Sequence, residues 1–164
     1  MSDTKIIAVL GAGTMGNGIA HVCARAGFNV LLFDVDQKAL YRGLDTIRTN
    51  IAREVAKEKL TQQQADEARS RITLTTSLDD LAPAQLAIEA ATERFEIKSA
   101  IFRDLDRILP ADGILATNTS SISITKIAAV TKRPEQVIGM HFLDRKSTRL
   151  NSSHRSLSRM PSSA

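Results

Sequence analysis

The chain has 164 residues, of which 43% are hydrophobic and 24% charged, the length and balance of one globular domain with a sizeable core. Its net charge of +4 sits at one end: five of the 22 basic and one of the 18 acidic residues fall within 143–164, leaving 17 of each in 1–142 and no basic excess there to mark a nucleic-acid-binding face. The single cysteine, Cys23, excludes a disulfide framework within one chain, no apolar run approaches the ~20 residues of a membrane span, and no leader pattern precedes the first strand, so a cytoplasmic protein with neither a membrane nor a nucleic-acid partner is expected.

In chain order, Lys5 to Leu10 is an apolar, buried-type strand that runs straight into a glycine-rich turn, Gly11-Ala12-Gly13-Thr14-Met15-Gly16. Residues 14–27 read as a helix, with His21 and Cys23 as packing residues, and residues 29–34 as a second strand ending in Asp34. Leu40, Leu44, Ile47, Ile51 and Val55 recur every three or four residues and predict one apolar stripe on a long helix. Thr61 is placed to cap a shorter helix reaching about Ser70, so a helical insertion follows strand two. Residues 72–76 and 86–91 read as strands three and four. Ile97, Ile101, Phe102, Leu105 and Ile108 predict a helix over 94–109, stopped by Pro110. Strand five is expected at 114–117, a short helix at 123–130 and strand six at 137–142.

Strands interleaved with helices imply right-handed crossovers and an α/β fold, a doubly wound and mostly parallel sheet covered on both faces. Ligands of such sheets bind beyond the C-terminal ends of the strands. Gly11–Gly16, Asp34, Glu93, Asn118–Ser121 and His141 to Phe142 are all expected at that edge.

The spacing G-x-G-x-x-G between a strand and a helix is the Rossmann dinucleotide pattern, and each glycine has a mechanical part in it. Gly11 makes the tight turn, Gly13 lets the backbone approach a pyrophosphate, and Gly16 lets helix and strand pack closely. The helix N-terminus then offers unpaired N–H groups and a partial positive charge to phosphate. Asp34 lies where a carboxylate accepts from an adenosine ribose and repels a 2′-phosphate, which favours NAD over NADP. Lys57 and Lys59 are candidates for contacts to CoA phosphates, against the plainer reading of a solvated helix end.

These residues resemble the L-3-hydroxyacyl-CoA dehydrogenase family over essentially all of 4–142. The resemblance rests on Gly11 to Ala20, Glu93 to Lys98, Asn118-Thr119-Ser120-Ser121 and Gly139-Met140-His141-Phe142. It implies oxidation of the 3-hydroxyl of an acyl-CoA with NAD, in β-oxidation or butanoate metabolism. It also implies that His141 is the catalytic histidine and that Ser120 touches both substrate and cofactor. Gly11, Ala12, Gly13, Thr14, Met15, Gly16, Asp34, Glu93 and Lys98 then correspond to NAD contacts. The chemistry is consistent: an imidazole exchanges protons near neutral pH and suits removal of a hydroxyl proton, while a serine hydroxyl positions the same oxygen. Each residue also has a plainer role: Ser120 and Ser121 suit a helix N-cap, Glu93 and Lys98 a solvated helix start, and His141 a strand end.

The family pattern continues past the His-Phe pair with Asn-Pro and then a glutamate that orients the histidine. Here Asp144 stands at the asparagine position, Ser153 near the glutamate position, and no acid follows Asp144. Residues 144–154 look like translated sequencing-adapter DNA. Residues 143–164, with seven serines and no apolar periodicity, are therefore expected to be a disordered, non-native tail after a 1–142 NAD-binding domain. By the resemblance, the helical C-terminal domain that closes the substrate cleft and builds a homodimer is absent from this chain, which is expected to be nearly inactive. Two other readings stay open at this point: a non-catalytic NAD-binding module, and the NAD-binding half of another β-hydroxyacid-type dehydrogenase.

Overall fold

A computed structural model of the protein describes residues 5–119 and 122–142. Six parallel strands run in the order β3-β2-β1-β4-β5-β6: β1 (Ile6–Leu10), β2 (Asn29–Phe33), β3 (Ile72–Thr75), β4 (Leu86–Glu89), β5 (Ile114–Thr117) and β6 (Val137–Gly139). The helices are α1 (Thr14–Arg25), α2 (Gln37–Ala56), α3 (Gln62–Ser70), α4 (Phe95–Ile108) and α5 (Ile124–Ala128). The order reverses between β1 and β4, which are paired from Ile7–Leu86 to Leu10–Glu89. A crevice forms outside the strand ends at such a reversal.

The sheet is buried on both faces, and strand pleating divides the core in two. Ile7 and Val9 of β1 pack into the layer of α1, α2 and α3, whereas Ala8 and Leu10 face α4 and α5. Val30 and Leu32, with Ile88 and Ala116, join the first layer; Phe33, Ala87 and Leu115 join the second. Of the stripe foreseen on α2, Leu40, Ile47 and Ile51 are fully buried. The expected insertion after β2 is the pair α2 and α3, and Thr61 closes a reciprocal capping box with Gln64 at the start of α3.

Several boundaries shift for identifiable reasons. Helix α1 stops at Arg25 because Gly27 turns left-handed, with φ at 107°. Strand β4 ends at Glu89, two residues early, because the Glu89 carboxylate takes the amides of Ala91 and Thr92 out of the ladder. Strand β6 ends at Gly139, after which the amide of Phe142 donates to Asn118 Oδ1 at 3.1 Å. Cys23 is a packing residue, its thiol pushed up to about 11 by burial. His21, half-buried on α1, also joins Arg25 in holding the carboxylate of Glu54, tying α1 to α2. The expected tail at 143–164 lies outside the described residues. No helix among the described residues is long and apolar enough to cross a membrane.

Arg133 supplies another long-range tie. All five of its N–H donors are used: Nε donates to Asp106 Oδ1 at 2.8 Å, Nη1 to the carbonyls of Pro110 and Gly113, and Nη2 to those of Asp106 and Leu109. The guanidinium thereby satisfies carbonyls left over at the C-terminus of α4. Arg133→Ala strands those carbonyls and the Asp106 carboxylate and is expected to cost about 3–5 kcal/mol. Urea unfolding should show a lower midpoint with an unchanged slope; an unchanged midpoint would mean that water replaces the guanidinium.

Candidate functional site

The glycine-rich turn between β1 and α1 is set by backbone contacts. Gly11 adopts φ of 104° and donates to the Phe33 carbonyl at 2.7 Å. A Cβ on Gly16 would stand 1.5 Å from the Gly11 carbonyl oxygen, so the helix comes down onto the turn with no space for a side chain. Gly13 is the opposite case: a Cβ there would meet nothing within 4 Å. The open space lies directly before α1, whose N-cap residue, Gly13, contributes no side-chain hydrogen bond. A helix start with an open approach and no acid in its first turn suits an anion. The residues present therefore fit a dinucleotide pyrophosphate.

Asp34 follows β2 beside this turn. Its Oδ2 accepts from the Ala12 amide at 2.9 Å and its Oδ1 from the Asp36 amide at 2.9 Å. It thus braces the glycine-rich turn, a part the sequence did not reveal, and each oxygen keeps a lone pair for a further donor. Gly43 of α2 also escaped sequence reading: a Cβ there would lie 2.8 Å from the Ala12 carbonyl oxygen, so α2 rests directly on the turn.

On the other side of the reversal, Glu93 is exposed and accepts from the Thr119 hydroxyl at 2.7 Å. His141 is exposed just past β6 and next to Phe142, whose amide is held by Asn118. Thr14 is exposed and Met15 half-buried at the start of α1. Ser120 and Ser121 lie outside the described residues. Lys57 is exposed at the C-cap of α2, a helix of 20 residues and hence about 30 Å long, beside the end that meets His21 and Arg25. It is not brought to the glycine-rich turn.

Lys98 is not the solvated charge of the plainer reading: it is 0% exposed and its ammonium points inward to Glu89, also 0% exposed. Thr117 completes the group, donating to Glu89 Oε1 at 3.0 Å and accepting from Lys98 at 3.2 Å. Ile97, expected on the apolar stripe, is 41% exposed instead. A signal for this trio was present in the sequence: Glu89 interrupts an apolar strand, and a carboxylate there needs a partner.

Parallel strands, a glycine-rich turn at the point of reversal and an acid ending β2 together define a Rossmann-type dinucleotide-binding domain. Residues 6–146 match the family described as "3-hydroxyacyl-CoA dehydrogenase, NAD binding domain", and the chain belongs to that family. It is 50% identical over 140 residues to a 3-hydroxybutyryl-CoA dehydrogenase of Bradyrhizobium diazoefficiens, covering 85% of this chain and 48% of that protein. It is 45% identical over 144 residues to 3-hydroxyadipyl-CoA dehydrogenase of Escherichia coli, covering 88% of this chain and 30% of the relative. A crystal structure of (S)-3-hydroxybutyryl-CoA dehydrogenase from Ralstonia eutropha superposes with a TM-score of 0.82 at 45% identity, covering 86% of this chain and 50% of that one. The chain thus spans half or less of the length of these relatives. Its cofactor is NAD.

Three glycine variants separate packing from binding. Gly16→Ala forces the turn open and is expected to lower both stability, by about 1–3 kcal/mol or more, and NAD affinity. Gly13→Ala, with φ of −69° and open space around it, should leave the melting temperature in place but weaken NAD binding. Gly18→Ala, equally unobstructed inside α1, should raise stability by about 0.5–1 kcal/mol and leave binding alone. Equal NAD affinity in all three would contradict the assignment of the open space at Gly13.

Proposed function

We propose that this chain is the NAD-binding half of an enzyme that oxidises the 3-hydroxyl of an acyl-CoA to the 3-oxo compound, with short acyl chains such as 3-hydroxybutyryl as the substrate class. The observation that carries this reading is the family match over 6–146, in which His141 stands just beyond β6 at the edge bearing the glycine-rich turn. When bound, NAD supplies the acceptor for the hydride leaving the carbinol carbon. The chain's own part is to hold the dinucleotide at Gly11 to Gly16 and Asp34, and to take the hydroxyl proton on the imidazole of His141. Ser120 is assigned by resemblance to hold the reacting oxygen in line. The ketone forms as the C–H pair leaves as hydride and the O–H proton passes to His141. A folded unit ending near residue 142, with closure over the acyl-CoA and dimerisation left to the half of the relatives that this chain does not span, belongs to the same proposal.

Selectivity for NAD follows from the charge of Asp34. Asp34→Asn keeps an oxygen for the Ala12 amide while removing the charge that opposes a 2′-phosphate. Titration of the purified chain with both cofactors should show preference for NAD, and the variant should lose about tenfold of that preference, the equivalent of ~1.4 kcal/mol. Equal affinities in the unsubstituted chain would refute the selectivity.

Catalysis is tested by NADH formation from L-3-hydroxybutyryl-CoA. The 164-residue chain alone should be nearly inactive, and fusion of residues 1–142 to the C-terminal half of a relative should restore turnover. Loss of positioning alone can cost on the order of 10² in rate. In the fusion, His141→Ala should lower kcat by about 10²–10⁴ with little change in NAD affinity. An active alanine variant would remove His141 from the chemistry, and a silent fusion that still binds NAD would favour a non-catalytic module.

A further inference from the structure

The trio of Glu89, Lys98 and Thr117 is buried under the crevice and takes no part in the chemistry assigned above. Placing a carboxylate and an ammonium where neither touches water is costly, and well-packed apolar side chains of similar size would often serve stability as well or better. Lys98 also sits in the first turns of α4, where a cation opposes the helix dipole. Stability of the core or of the helix is therefore a poor reason for these charges.

The division of labour within the carboxylate supplies a better one. Oε1 of Glu89 is held from the interior, by the Lys98 ammonium and the Thr117 hydroxyl. Oε2 faces the other way and accepts from the amides of Ala91 at 2.7 Å and Thr92 at 3.2 Å. These amides belong to the segment that leaves β4 and lies on the glycine-rich turn: a Cβ on Gly11 would stand 2.8 Å from Ala91 Cα and 2.9 Å from the Ala90 carbonyl oxygen. Thr117, opposite Glu89 on β5, immediately precedes Asn118, which holds the amide of Phe142 beside His141. One buried carboxylate thus links the three segments that border the crevice.

We propose that Glu89, Lys98 and Thr117 are positioning residues for the cofactor crevice, with Lys98 and Thr117 fixing Glu89 so that its outer oxygen locks residues 91–92 against the Gly11 turn. The proposal rests on the reading of this edge as the NAD site. It assigns Lys98 an effect on the cofactor that passes through Glu89 and the loop.

The test uses the full 164-residue chain. Glu89→Met together with Lys98→Met leaves no buried charge unpaired but removes the acceptor for both amides. The double variant should fold, exchange the Ala91 and Thr92 amides faster relative to those of β1, and bind NAD about tenfold more weakly, a displacement effect rather than a lost contact. Glu89→Gln with Lys98→Met restores an acceptor oxygen without the ion pair and should recover part of both signals. Arg133→Ala, remote from the crevice and destabilising, should leave NAD affinity unchanged and so separates positioning from stability. NAD affinity unaltered in the Met–Met variant would overturn the proposal, as would failure of both double variants to fold, which would make the trio a requirement of the fold. Should the unsubstituted chain bind no NAD, the cofactor reading itself falls, and the amide exchange alone decides whether the trio holds the loop.

Discussion

The closeness of α1 to the turn beneath it governs the layout of this domain. With 1.5 Å between the Gly11 carbonyl oxygen and any Cβ on Gly16, helix and strand meet backbone to backbone. Only that contact brings the first amides of α1 to the crevice mouth directly beyond β1. Gly43 repeats the device from α2, whose backbone lies against the Ala12 carbonyl. The Ala12 amide is in turn held by Asp34 at the end of β2. Three elements are therefore registered on six residues of turn by steric exclusion and one carboxylate, and little freedom remains for the turn to adopt another shape.

Electrostatics organises the other half of the sheet. Burying Glu89 and Lys98 exacts a desolvation cost that hydrogen bonds must offset, and the structure meets it with four donors on the two carboxylate oxygens. Arg133 follows the same logic at the opposite end, where every donor of a buried guanidinium finds an oxygen. These two sites differ in what they hold. Arg133 closes the end of a helix against the core, whereas Glu89 fixes a segment that borders the crevice.

The sheet was readable from sequence because most of its strands are short apolar runs with a clear stop, as when Val30 to Phe33 ends at Asp34. Parallel strands are buried on both faces, so hydrophobicity alone marks them. The glycine-rich turn was readable because its spacing has a mechanical meaning. Glu89 announced that it needs a partner, but which partners it takes was not readable, since the members of the trio are 9, 19 and 28 residues apart and their pairing is a matter of topology. Lys98 reads as a surface charge on an amphipathic helix, and turning it inward pushes Ile97 out to solvent. The tie between His21 and Glu54, 33 residues apart, was hidden for the same reason. Ionic partners separated by whole elements leave no periodic trace, while caps such as Thr61, which act over three residues, do.

The seam between the two halves of the sheet carries the functional argument. Strands β1 to β3 with α1 to α3 form one half, and β4 to β6 with α4 and α5 the other, joined in the sheet only by the pairing of β1 with β4. Gly11 lies at the end of that seam, and its missing side chain is needed twice: to reach φ of 104°, and to let Ala90 and Ala91 approach from β4. The residues that suit a pyrophosphate and ribose sit on the first half, while His141 and Asn118 sit on the second. A dinucleotide spanning the crevice would bridge both halves, so its binding geometry depends on how closely they meet at Gly11. Glu89 sets that approach from beneath, which places a buried carboxylate with no open surface among the determinants of a site it does not touch.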